Sequence, residues 1–185
     1  MLVFAFLALI AAFDLSVEKI HLLEHPNASL SCSLNAVLNC ASVMKTPQSS
    51  AFGFPNSYLG LMFFPIVAAF AVMGLLGTTF NRKVILTLEA MAILAIIFSY
   101  WLFFQSLYVI QILCPWCLLV TLSTTIMFAT VTCYTLKHNA LGLNRSAQKK
   151  VEKFIGQGYE TLITVAIIVF LALLVYLKFG NSLFL

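Results

Sequence analysis

Long uninterrupted apolar runs constrain the fold of this 185-residue sequence more than any other feature. Hydrophobic residues make up 62% of the chain and charged residues only 9%, whereas about a quarter of the residues in a soluble domain are charged. A soluble domain of this length could not bury so much apolar surface. A lipid bilayer solvates such runs, and only elements that satisfy their own backbone hydrogen bonds cross it. The sequence therefore predicts an integral membrane protein.

Five segments are predicted to cross the membrane as helices. The first begins with the apolar run 2–13 and has to continue through Asp14, Glu18 and Lys19 to about Leu23, because a spanning helix needs about 20 residues. A cleaved signal peptide is the competing interpretation, and the missing basic N-terminal region argues against it. The other four predicted spans cover about Ser57 to Thr78, Val84 to Ser106, Tyr108 to Leu136 and Thr161 to Lys178.

The positive charges predict the orientation of these spans. Arg82, Lys83 and five bases in the loop 137–159 make seven of the ten Lys and Arg residues, and all seven lie on one side. That excess marks the cytoplasmic side of a plasma membrane, so the formal charge of +4 predicts no nucleic-acid partner. The N-terminus is then cytoplasmic, and the loop at about 25–56 lies outside the cell.

The cysteines suggest redox chemistry on the outer side. Cys32 and Cys40 lie in the outer loop, and Cys114 and Cys117 form a Cys-x-x-Cys motif near the outer end of the fourth predicted span. Two thiol pairs on one oxidising side can exchange oxidation through a mixed disulfide. Three alternatives stay open: a structural disulfide in the loop, a zinc site of four thiolates with no redox role, and buried cysteines acting as small hydrophobes. The fifth cysteine, Cys133, is predicted to be a packing residue.

The ordered set of these motifs resembles the vitamin K epoxide reductase family, in its bacterial or archaeal form. The resemblance is strong over about residues 5–136 and looser in the last span. It rests on the two loop cysteines, on Thr46 at the family's Ser/Thr position, and on two motifs, Gly53-Phe54-Pro55-Asn56-Ser57-Tyr58-Leu59-Gly60 and Cys114-Pro115-Trp116-Cys117.

The resemblance implies an all-α membrane fold with five transmembrane helices, in which a four-helix bundle surrounds a quinone pocket and one helix is peripheral. Residues 1–136 would form the catalytic core and include the outer cysteine loop. Residues 137–159 would form a basic cytoplasmic loop, and 160–185 the fifth helix with a short outer tail. Some relatives carry a fused thioredoxin-like domain after the fifth span, whereas this sequence stops at Leu185, so we expect a separate thiol partner.

The resemblance also assigns roles to the four cysteines. Cys117 would be the thiol nearest the quinone, and Cys114 would pair with Cys117 and exchange with Cys40. Cys32 would react with the partner, a thioredoxin-like or DsbA-like protein outside the cytoplasm. Metal ligation has no part in this scheme.

Three further residues are expected to contact the quinone, which would be of the menaquinone, ubiquinone or vitamin K type. Asn56 occupies the position whose amide hydrogen-bonds a quinone carbonyl in the family, although a helix N-cap is the simpler interpretation of the residue alone. Trp116 is a candidate for stacking on the ring or for anchoring at the membrane interface. Thr46 completes the predicted cofactor-binding set.

The implied activity is quinone-dependent thiol–disulfide oxidation that supports disulfide formation outside the cytoplasm. Animal members carry a tyrosine four residues after the second active cysteine, where this sequence has Thr121. Reduction of vitamin K epoxide is therefore not predicted. Two other classes stay open: a DsbB-like oxidase of separate ancestry with both cysteine pairs in outer loops, and a membrane subunit whose cysteines are only structural.

Overall fold

The computed structural model describes residues 1–25, 30, 32–33, 35 and 37–180. Most of the described residues are helical, and an isolated β-bridge joins Leu38 and Leu113. A 3-10 turn covers Pro47–Ser50, and a π-helix covers Gln105–Ile110. The α-helices are α1 (Leu2–Glu24), α2 (Cys40–Met44), α3 (Ser57–Leu75), α4 (Arg82–Phe104), α5 (Pro115–Lys137), α6 (Arg145–Gly156) and α7 (Tyr159–Phe179).

Four helices of the described chain are long and apolar enough to cross a membrane. They cover Ser57–Leu75, Arg82–Ile110, Pro115–Lys137 and Tyr159–Phe179, which confirms four of the five predicted spans. Helix α1 has 23 residues, but Asp14, Glu18 and Lys19 interrupt its apolar character. The crossing of α1 therefore stays a prediction.

The bundle forms because α1 packs against α3 and α5, while α5 also packs against α4. A stripe of alanines lets α1 approach its neighbours closely, and Gly60 does the same on α3. A Cβ atom at Gly60 would lie 2.9 Å from the Ala12 Cβ and 2.9 Å from a ring carbon of Phe64. The shared core takes residues from all four helices: Ala5, Ala8, Ala12, Phe64, Val67, Ala68, Leu88, Ala92, Met127 and Val131.

The boundary between the third and fourth spans differs from the sequence prediction. Helix α4 does not end near Ser106 but continues as the π-helix to Ile110. The chain then reverses at Gln111, whose φ of 56° is left-handed. Helix α5 begins at Pro115, not near Tyr108. Cys114 is therefore the N-cap of α5, not a residue within the span, because proline favours the first helical position and disfavours helix in the residue before it.

The last part of the chain lies beside the bundle. Helix α7 packs against α5 and α6. Only 6% of the residues in its apolar stretch are buried within the protein. Such exposure of an apolar helix fits a surface that faces lipid. The region predicted as a basic loop contains helix α6, which carries Lys149, Lys150 and Lys153.

Candidate redox site

The outer cysteine pair forms a disulfide. Cys32 and Cys40 are joined with a Cα–Cα distance of 5.7 Å, and both sulfur-bearing side chains are buried. In this oxidation state the two sulfurs cannot serve as thiolate ligands of zinc, which is the alternative that the sequence left open. The structure thus brings together the two loop cysteines that the resemblance paired.

Local hydrogen bonds fix Cys40 at the start of α2. The Asn39 side chain caps this helix by accepting the Ser42 N–H at 3.0 Å, as an N-cap asparagine commonly does. The backbone N–H of Asn39 donates to the Leu113 carbonyl at 2.9 Å, and the Leu113 N–H donates to the Val37 carbonyl at 2.8 Å. The chain around Leu113, which leads into the second cysteine pair, is therefore tied directly to Cys40.

The two cysteine pairs meet at Cys40 and Cys114. Their Sγ atoms lie 3.2 Å apart, and both side chains are buried. Cys114 and Cys117 are free thiols, and the Cys114 sulfur accepts the Cys117 backbone N–H at 3.4 Å. This distance between sulfurs is close enough for a thiolate of one pair to attack a disulfide of the other.

The start of α5 also makes Cys114 acidic. A hydrogen bond from the Cys117 side chain, with further bonds from the backbone amides of Cys117 and Trp116, lowers the pKa of the Cys114 thiol below its ordinary value. Burial and the negative charge of Glu18 act in the opposite direction and are outweighed. A thiol at a helix start is commonly activated in this way.

Glu18 of α1 contacts the outer pair from the other side. One of its carboxylate oxygens lies 3.0 Å from the Cys32 sulfur. The possible ligand atoms of Glu18, Cys32 and Cys40 all lie within 4.8 Å of one another, which is a spacing that suits a metal ion. The disulfide occupies both sulfurs, so in this state they are not available to a metal ion as thiolates.

A large cavity lies beside the second pair. Its volume is about 890 Å³, toward the upper end of the usual range for small-molecule sites, roughly 300–1,000 Å³. Both Cys114 and Cys117 line it, and its other walls come from α1, α3 and α4 and from the loop before α3. Most of the lining is apolar, with aromatic rings at Phe52, Phe98 and Trp101.

Asn56 lines this cavity and braces the loop before α3. The side-chain N–H donates to the Gln48 carbonyl at 2.6 Å, and the side-chain oxygen accepts the Ala51 N–H at 3.1 Å. Asn56 stands at the N-cap position of α3 without a capping hydrogen bond from its side chain. The amide carries a second N–H, so contact with a ligand carbonyl stays compatible with this bracing role.

The other two residues predicted to contact a quinone do not line the cavity. Trp116 packs against the cluster that contains Cys32, Cys40 and Cys114. The Thr46 hydroxyl donates to the Val43 carbonyl at 2.7 Å. Both side chains support the cysteine loop in this structure, and their contact with a quinone stays a prediction.

Lys19 is a cavity residue that the sequence prediction missed. Its ammonium donates hydrogen bonds to the Met44 carbonyl and, at 3.2 Å, to the Ser49 hydroxyl. The available sequence signal was a lysine within a predicted membrane helix, where charged residues are rare and usually functional. Cys133 lies away from this site and lines a smaller cavity of about 360 Å³ between α5 and α7.

Comparison with known proteins agrees with these features. The family model described as "Vitamin K epoxide reductase family" matches residues 1–132. That match covers all four of the cysteines at the site, helices α1, α3 and α4, and most of α5. Among curated proteins, none matches the chain.

Proposed function

The chain belongs to the vitamin K epoxide reductase family, a family of membrane thiol–disulfide oxidoreductases, and on that premise we propose that it is a quinone-dependent thiol oxidase. Its substrates would be a thioredoxin-like protein outside the cytoplasm and a membrane quinone. Electrons would pass from the partner to Cys32 and Cys40, then to Cys114 and Cys117, and then to the quinone.

One observation carries this proposal: the Cys40 and Cys114 sulfurs are 3.2 Å apart, while Cys117 lines an apolar cavity. A structural disulfide alone needs no third sulfur in contact with it. The arrangement supports a relay because Cys40 belongs to the disulfide, and Cys114 belongs to the pair beside the cavity.

The relay consists of two exchange steps. After the partner has reduced the outer pair, the Cys40 thiolate attacks Cys114 in a Cys114–Cys117 disulfide, and Cys117 leaves as a thiolate. Cys32 then attacks Cys40, the Cys32–Cys40 bond forms, and Cys114 leaves as a thiolate. Once Cys117 has taken up a proton, its thiol donates to Cys114 together with the amides at the helix start, and the pKa of Cys114 that they lower makes it a better leaving group in this second step. In the structure Cys32 and Cys40 form the disulfide, and Cys114 and Cys117 are free thiols. This is the oxidation state that the two steps produce.

The cavity fits a quinone ring in size and lining. A quinone supplies the acceptor for the two electrons and two protons of the Cys114 and Cys117 thiols and leaves as hydroquinone. Cys117 would face it, Asn56 would donate a hydrogen bond to a ring oxygen, and the apolar walls would exclude water. Thr121 lines the same cavity in place of the tyrosine of the animal members, so reduction of vitamin K epoxide is not part of the proposal.

The orientation is part of the proposal as well. We place α1 across the membrane with the N-terminus in the cytoplasm, because the bases cluster between α3 and α4 and between α5 and α7. The two cysteine pairs then lie at the outer face of the plasma membrane, which is the side on which a DsbA-like partner would react with Cys32.

A direct test uses purified protein, a soluble dithiol and a water-soluble quinone analogue, followed by quinone absorbance. We expect turnover in the unmodified protein, loss of turnover in Cys117→Ala, and normal turnover in the control variant Cys133→Ala. Quinone reduction at the normal rate in Cys117→Ala would refute the assignment.

The same test distinguishes this proposal from the alternative that the cysteines are only structural. A membrane subunit with only structural cysteines predicts that mild reductant lowers stability while no electrons reach the quinone. The family match argues against a DsbB-like oxidase of separate ancestry. The position of Cys114 at a helix N-cap, with Cys117 in the first turn, also differs from two cysteine pairs held in loops.

A further inference from the structure

Lys19 stands out among the described residues that line the large cavity, because it is the one charged side chain there. The remaining lining residues are apolar or carry neutral polar groups such as Asn56 and Ser49. Placing an ammonium against an apolar cavity costs free energy unless the charge has a partner. If Lys19 served only to tie α1 to the neighbouring loop, a neutral hydrogen-bond donor would be sufficient at this position.

The contacts of Lys19 leave it able to bind a ligand. An ammonium has three N–H donors, and two of them are used by the Met44 carbonyl and the Ser49 hydroxyl. These two bonds fix the ammonium at the cavity wall, and among the described residues they leave its third N–H available to a group inside the cavity.

Lys19 and Asn56 converge on one end of the cavity. Ser49, which accepts from Lys19, also accepts the Asn56 backbone N–H through its own carbonyl at 3.0 Å. The Asn56 side chain is anchored next to it on the Gln48 carbonyl. The loop before α3 therefore holds the Lys19 ammonium of α1 and the Asn56 amide near each other, in a cavity that Cys117 also lines.

Oxidation of two thiols by a quinone moves electrons onto the ring oxygens. The Cys114 and Cys117 thiols lose two electrons and two protons, an S–S bond forms, and the quinone gains both to become hydroquinone. Donors fixed in advance toward an oxygen that gains negative charge stabilise such a transition state strongly in an apolar site. An ammonium is a stronger donor for this purpose than a neutral amide.

Building on the proposed function, we propose that Lys19 is a catalytic residue of the quinone site, whose ammonium hydrogen-bonds the ring oxygen on which negative charge develops. Asn56 is the neutral donor beside it. Lys19 keeps its own proton throughout and acts through its charge.

The first experiment measures binding and needs no turnover. The probes are 2-hydroxy-1,4-naphthoquinone, which is an anion at neutral pH, and 2-methyl-1,4-naphthoquinone, which is neutral. We expect Lys19→Met to weaken binding of the anion about 10- to 100-fold, which corresponds to the loss of one charge-assisted hydrogen bond. The same variant should weaken binding of the neutral probe less than about threefold. Lys19→Arg retains the charge and should retain most of the preference for the anion.

Lys45→Met provides the matched control, since Lys45 is exposed and lies one residue after Met44, outside the cavity lining. It should leave both affinities unchanged. If Lys19→Met weakens both probes equally, or if Lys19→Arg loses as much preference for the anion as Lys19→Met, the ammonium has no role as an oxygen donor and the proposal fails.

The second experiment measures thiol-to-quinone turnover in the same variants. We expect kcat to fall at least about tenfold in Lys19→Met with little change in the KM for the quinone. A rise in KM alone would overturn the catalytic role. Reduction of the Cys32–Cys40 disulfide by dithiothreitol should keep its normal rate in Lys19→Met. A slower rate would assign the loss of kcat to the cysteine loop and would overturn the catalytic role. Absence of turnover in the unmodified protein would refute the proposed function instead, and the binding experiment would still decide the role of Lys19.

Discussion

Replacing Gly60 by alanine is expected to weaken the packing of α1 on α3. The new Cβ would lie 2.9 Å from the Ala12 Cβ and 2.9 Å from the Phe64 ring, and overpacking of this kind costs about 1–3 kcal/mol. Alanine also gains about 0.5–1 kcal/mol over glycine within a helix. The cost of the clash exceeds the gain from alanine except at the lowest values of that cost. Gly60→Ala should therefore lower the unfolding temperature.

Gly74 offers a matched control because it belongs to the same helix and a Cβ there meets nothing within 4 Å. Gly74→Ala should gain the helical preference without a clash, so the two variants should differ by about 1–3 kcal/mol. Thermal unfolding in detergent, followed by circular dichroism, measures this difference at about 2–4 °C per kcal/mol. Ala12→Gly should restore only part of the stability lost in Gly60→Ala, because the contact with Phe64 remains and glycine costs about 0.5–1 kcal/mol within a helix. If Gly60→Ala unfolds at or above the temperature of Gly74→Ala, the close packing described for α1 and α3 is wrong.

Three further predictions concern stability and reactivity. Since the pKa of Cys114 is lowered, its thiolate persists to lower pH than an ordinary thiolate. Iodoacetamide should therefore label Cys114 faster than glutathione at pH 7, once the rate for each thiol is divided by the rate for the same thiol at high pH to correct for access. Equal corrected rates would contradict the lowered pKa. Glu89 accepts hydrogen bonds from Thr132 at 2.9 Å and Thr135 at 3.0 Å. Glu89→Ala should lower the free energy of unfolding by about 1–3 kcal/mol. An unchanged unfolding temperature would show that this link between α4 and α5 contributes nothing to stability. Asn56→Ala removes two loop hydrogen bonds and should raise the KM for a quinone analogue, whereas an unchanged KM would exclude Asn56 from the quinone site.

The sequence predicted the membrane class and four of the spans because long apolar runs leave few alternatives. It misplaced the start of the fourth span, since the run from Tyr108 to Leu113 is apolar except at Gln111. The usable signal was Pro115, which favours a helix start at itself and an extended conformation at Cys114. The left-handed turn at Gln111 has no comparable signal, because glutamine does not favour that conformation.

The contact between the cysteine pairs could not be derived from the sequence by spacing alone. Cys40 and Cys114 are 74 residues apart, and their approach depends on the backbone bonds between Asn39 and Leu113. The resemblance to a family supplied that pairing. The place of Lys19 was missed for a different reason: residues on one helix face share a direction, but which face borders a cavity depends on how α1, α3 and α4 pack together.

The most direct test of the relay is disulfide mapping by mass spectrometry in the double variant Cys32→Ala/Cys117→Ala. A bond between Cys40 and Cys114 can be resolved by Cys32 from one side and by Cys117 from the other, so in this variant it should accumulate when the protein is treated with limiting oxidant. The relay predicts a peptide that joins Cys40 to Cys114. If Cys40 and Cys114 both stay fully alkylatable under all conditions, the two pairs do not exchange electrons and the relay is wrong.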